Sequence, residues 1–180
     1  MQMAAAAAAA SPMFSCSSTD SPWRYFTAQE ARTLEAICEQ IIPADKDPGA
    51  QQACVVNYID RQIVGHLKRH QKTYRDGLAA VDQISRTLYS KPFADLPPEQ
   101  QAEVLEKMEK NDVPTDLWKG RSAKRFFELV VTHAMQGFYG DPRHGGNRNA
   151  ASWRMLGVPY PPIRGRLHYD LTKPVSTQPA

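Results

Sequence analysis

A chain of 180 residues, 42% hydrophobic and 23% charged, has the size and balance of one globular domain and fits two domains poorly. The net charge of +3 is mild, and residues 141–173 hold only six Lys or Arg against two Asp or Glu, which excludes a nucleic-acid footprint. The longest apolar run, residues 4–10, is all alanine, too short and too weakly hydrophobic to span a bilayer.

Residues 1–22 stand apart from the rest. They are rich in Ala and Ser, carry no Lys or Arg and show no period. They resemble the apolar core and small-residue end of an export signal whose basic start is missing. The alternatives are a disordered leader or a wrongly chosen start codon. Cys16 matches a lipoprotein cleavage site poorly.

From residue 23 the pattern is helical. Thr27 followed by Glu30 is a capping box, and Ala31, Leu34, Cys38 and Ile41 then mark one apolar face, ended by Pro43. A second helix is predicted over 51–69, with Val55, Ile59, Ile63 and Leu67 four residues apart. A third, over 72–89, carries Tyr74, Leu78, Val81, Ile84 and Leu88. Pro98 suits the first turn of a fourth, because it lacks the N–H that would be unsatisfied there, and Val104, Leu105 and Met108 form its stripe. After a polar linker, 111–116, comes a strongly apolar fifth helix over 122–138. Residues 149–156 are a candidate short helix. No alternating β-branched run and no hairpin signal occurs, so the expected fold is all-α: about five main helices over 23–157, then an irregular tail over 158–180. Five prolines from residue 157 onward exclude a regular helix there, and the tail must lie across the helices or across a partner.

Several constellations could carry chemistry. His66 and His70 are spaced to share a metal on a helix, but no third ligand stands nearby, and Lys68, Arg69 and Lys72 oppose a cation. His133 lies in the most apolar helix, where a histidine is more often a hydrogen-bonded core residue than a general base. No nucleophile elbow, dinucleotide fingerprint or phosphate loop is present. The three cysteines form no C-x-x-C, so no catalytic, metal or cofactor residue is assigned in this chain. Cys38 and Cys54 fall near facing ends of two consecutive helices and are a candidate disulfide if the chain is exported; two buried free thiols are the alternative.

The stretch GFYGDPRHGGNRNAASWRMLG, residues 137–157, is the most informative. Asp141-Pro142 favours a turn, Gly145-Gly146 permits positive φ, and Asn147 can cap the next helix. Such a loop would display Arg143, His144, Arg148 and Trp153, residue types that anchor interfaces. The same groups suit an anionic ligand, so an interface loop and an anion site both stay open.

Three stretches carry a resemblance to a known family: residues 26–63, FTAQEARTLEAICEQIIPADKDPGAQQACVVNYIDRQI; residues 133–159, HAMQGFYGDPRHGGNRNAASWRMLGVP; and residues 161–174, PPIRGRLHYDLTKP. Together they resemble the small subunit, subunit 3, of gluconate 2-dehydrogenase over about residues 23–173. The resemblance implies a bacterial periplasmic complex at the inner membrane. In it a large flavoprotein subunit holds FAD and oxidises the sugar acid, and a cytochrome c subunit carries haem c and passes electrons to quinone. It implies a small subunit that holds no cofactor, stabilises the flavoprotein and supplies a twin-arginine signal for joint export. This chain departs from that pattern, because no arginine precedes Arg24. On this reading Asp141, Arg143, His144, Asn147, Arg148 and Trp153 form an interface loop and residues 160–169 lie on the partner. Membrane association would come only through the complex. Other readings are a transient export chaperone, the small subunit of a related sugar or polyol dehydrogenase, and a self-sufficient small enzyme using His144 with Arg143 and Arg148.

Overall fold

The structure, a computed structural model, describes residues 22–158. Except for Pro22 and Val158, the expected leader over 1–22 and tail over 158–180 lie outside the described residues, as does the tail contact expected at 160–169. The described residues are all-α: α1 (Ala28–Ile41), α2 (Val55–Ile63), α3 (Gln71–Tyr89), α4 (Pro98–Glu109), α5 (Ala123–Tyr139) and the short α6 (Ala151–Met155), joined by turns and 3-10 segments.

The capping box forms as expected. Thr27 Oγ1 accepts from the Glu30 N–H, and Glu30 Oε2 accepts from the Thr27 N–H at 2.8 Å. Ala31, Leu34 and Cys38 are buried, joined by Ile37. Pro98 opens α4, whose Val104, Leu105 and Met108 are buried. Ser122 caps α5 by accepting from the Arg125 N–H.

The helix expected over 51–69 is shorter at both ends. Cys54 takes a left-handed conformation (φ 54°, ψ 43°), so helical bonding starts at Val55. At the other end the N–H groups of Gly65 and Leu67 both donate to the Gln62 carbonyl, folding the chain into a turn and then a 3-10 segment, Lys68–His70. Glycine costs about 1 kcal/mol in a helix interior, and a break at Gly65 avoids that cost. The break still buries Leu67. It also removes the expected helical spacing of His66 and His70, which no longer share a helix face. Leu88, expected in the core, is 45% exposed. Its neighbour Tyr89 faces α4 instead, donating to Glu103.

α5 sits at the centre and touches each of α1, α2, α3 and α4. Its buried stripe, Phe126, Val130, His133, Ala134 and Phe138, lies in the core that also holds Ile59, Val81 and Met108, with Tyr74 edge-on to Phe126. The chain before α1 is fixed by Asp60, 3% exposed, whose carboxylate accepts from the backbone N–H groups of Arg24, Tyr25 and Phe26. His133 is a hydrogen-bonded core residue: its Nδ1 lies 2.8 Å from the Tyr74 hydroxyl.

Candidate functional site

The loop after α5 is built to close that helix. The last carbonyls of a helix have no intrahelical donor. Here three consecutive ones are each given one. The Ser152 hydroxyl donates to the Phe138 carbonyl (2.6 Å), the Trp153 indole N–H to that of Tyr139 (2.8 Å), and the Asn147 amide to that of Gly140 (2.9 Å). Asn147 is fully buried, and its Oδ1 also accepts from the Ser152 N–H (2.9 Å). Asn147 is not the N-cap of α6, a position taken by Ala150; its side chain reaches the Ser152 N–H across the intervening 3-10 turn, Arg148–Ala150.

Gly145 and Gly146 are both required. Gly145 lies at φ 103°, a left-handed conformation. Gly146 is pressed against α5 and α2, where a Cβ would overlap the Gly137 carbonyl and the Tyr58 side chain. Asn147, Asn149 and Ala150 also take positive φ, so this short stretch holds strained backbone that its hydrogen bonds keep in place. The Arg148 N–H donates to the Ala53 carbonyl, tying the loop to the chain just before α2.

Asp141 accepts from the Arg143 N–H (2.9 Å) and from its guanidinium Nε (2.8 Å). These bonds hold its carboxyl down at about 2, well below the usual carboxylate range. Arg143, His144 and Arg148 are exposed, and Trp153 is half-buried. The structure thus brings all six predicted residues into one loop, in two roles. Asp141, Asn147 and the indole N–H of Trp153 build it, whereas Arg143, His144 and Arg148 lie at the surface, Arg143 paired with Asp141 and the Arg148 guanidinium 3.5 Å from the Cys54 sulfur.

An anion cradle needs backbone N–H groups free to reach the ligand. Those of Arg143, His144, Gly145, Arg148, Ala150 and Ser152 are already bonded within the fold. α6 has only five residues, so its N-terminus adds little. These six N–H groups are therefore taken up by the fold itself.

One feature of this end of the molecule was not anticipated from the sequence. Met135 and Tyr139 on α5, Met155 on α6, and Leu156 and Val158 after it are large apolar residues that stay exposed. The signal was present: Met135 and Tyr139 are four apart and lie off the buried stripe of α5. Arginines and exposed apolar groups around a stiff loop make a surface suited to another protein.

Among the described residues no group of three His, Cys, Asp or Glu is placed to hold a metal. Cys38 and Cys54 line the same small cavity, yet both are free thiols. Cys38 is buried, and its burial raises the thiol pKa. No helix among the described residues is long and apolar enough to cross a membrane.

No curated protein and no solved structure matches the chain. The family model described as gluconate 2-dehydrogenase subunit 3 matches residues 28–159, a span that takes in all six helices and the whole display loop, and the chain belongs to that family.

Proposed function

We propose that this chain is the non-catalytic small subunit of a periplasmic, membrane-associated gluconate 2-dehydrogenase complex, which converts D-gluconate to 2-dehydro-D-gluconate. In this reading FAD sits in the large flavoprotein subunit and haem c in a cytochrome subunit, and this chain stabilises the flavoprotein. The family is one of subunits, which agrees with a multi-subunit assembly. The observation that carries the reading is the division of labour in the loop of residues 140–153. Its buried polar atoms are bonded within the fold, while Arg148, His144 and the apolar groups beside them face outward.

The test is to express the chain with a tag, alone and together with a gluconate 2-dehydrogenase flavoprotein subunit from the same source. Alone it should be colourless and inactive. Together the two should co-purify as a yellow complex that oxidises gluconate. Replacing Arg148 with Glu and Leu156 with Asp should weaken co-purification at least about tenfold while leaving the helical circular dichroism unchanged, as expected for central interface residues. Turnover by the chain alone, or unaltered co-purification of that double variant, would sink the reading.

A further inference from the structure

A second concave site lies where α3, the turn after α4 and the start of α5 meet. It is an open cleft of about 380 Å³, within the usual range of small-molecule sites. Its floor is apolar. Phe126 packs directly over Gly77, where any Cβ would overlap the ring. Trp118 leans on Phe126 with ring centroids 5.8 Å apart. Trp118 is 4% exposed, and its indole N–H is the one buried side-chain donor or acceptor without a partner among the described residues. A buried unpaired donor is costly to keep, and native folds seldom leave one without a reason.

The rim is cationic. Asp76 pairs with Lys72 (2.8 Å), Arg121 (2.5 Å) and Lys119 (3.6 Å). Arg125 lines the same cleft, is exposed, and has no ion-pair partner among the described residues. Two cations, Arg121 and Arg125, thus line the cleft with one carboxylate, Asp76, which Lys72 and Lys119 also reach from beyond the lining. Thr73, Asn111 and Ser122 are the uncharged polar side chains of the cleft, and the last two hydrogen-bond to each other. A polyol would leave most of its hydroxyls unpaired against such a floor.

We infer that this cleft binds a small organic carboxylate with a flat apolar body, the body resting on Phe126 and Trp118 and the carboxylate held by Arg125 at the cationic rim. Guanidinium is the side-chain group best matched to a carboxylate, and aromatic walls suit a planar ligand. Lys119 and Gly120, at φ 48° and 78°, form the turn that carries Trp118. This site is separate from the display loop, and its existence does not depend on which partner that loop meets.

The experiment uses the full chain and calorimetric titration with naphthalene-2-carboxylate, its uncharged carboxamide, and D-gluconate. The Trp118 indole N–H resonance, identified by its loss in Trp118→Phe, is followed alongside. The carboxylate should bind below about 1 mM, and the amide and the Arg125→Ala variant should each be at least about tenfold weaker. D-Gluconate should not compete, and the Trp118 resonance should move on binding. Equal affinity for acid and amide, an Arg125→Ala variant that binds as tightly, or no binding by about 10 mM would overturn the inference. Protection of the Trp118 resonance only when the flavoprotein is added would also overturn it, by making the cleft a seat for a partner side chain.

Discussion

At the scale of single residues, His133 has the most consequential environment. It is packed inside α5, bonded to Tyr74 and edge-on to His70, with Arg69 and His66 adding positive charge nearby. Burial first, and these neighbours second, lower its pKa to about 4. In the unfolded chain an ordinary histidine titrates near 6.5, so the unfolded state takes up the proton first. The stability that neutral His133 supports is therefore complete above about pH 6.5 and lost as pH falls toward 4. Below 4 both states carry the proton and the loss levels off. After solvent screening of the exposed cations, the drop is expected to be about 2 kcal/mol. Denaturant unfolding at pH 7 and pH 4 measures it, and a His133→Gln variant should flatten that part of the profile. Carboxylates held low, such as Asp76 and Asp141, lose their contribution only as pH falls from about 4 toward 2, which separates the two effects.

At the scale of elements, the loop between α5 and α6 is the part most exposed to a single change. Asn147→Ala removes the donor to the Gly140 carbonyl and the acceptor of the Ser152 N–H, and places a Cβ residue at φ 45° without the side chain that favours it. The expected cost is about 2–3 kcal/mol, seen as a lower Tm and as faster hydrogen exchange in α6 while α1 to α4 keep their protection. The sequence made much of this scale legible. The Thr27 and Glu30 box, Pro98 and the four-residue apolar spacing act within one or two turns, so they placed α1, α3, α4 and α5 closely. The ends of α2 were not legible, because the left-handed Cys54 and the turn at Gly65 serve the packing of Leu67 and the approach of the loop. The six loop residues could be read as a group from their types and turn chemistry. Their division into builders and outward groups could not, since it depends on where the carbonyls of residues 138–140 point in three dimensions. The exposed Met135 and Tyr139 were hidden by a helix apolar on more than one side.

At the scale of the whole molecule, α5 joins everything else. It contacts all four other long helices, as α1 also does, so the described residues are tied into one core. Gly77→Ala, which would push the Phe126 ring off α3, should lower the Tm of the entire domain in one transition, by about 2 kcal/mol of stability after the gain in helix propensity. The two cysteines give an independent check on that cooperativity. Cys54 is half-buried and should react with a thiol reagent in the folded chain. Cys38, with its thiol buried and its pKa raised, should react only at the rate of global opening. Comparable rates for both would mean that α1 detaches locally.

The closing of α5 by its own loop bears on how such a protein can change over generations. The stitches are made by Asn147, Ser152, Trp153 and two glycines, with Asp141 and Arg143 paired beside them, whereas the side chains of His144 and Arg148 stand between them on the surface. Mutation can therefore exchange the outward positions while the scaffold that presents them stays intact. A duplicated copy could drift toward a different partner by altering a handful of surface side chains, without first passing through an unstable intermediate.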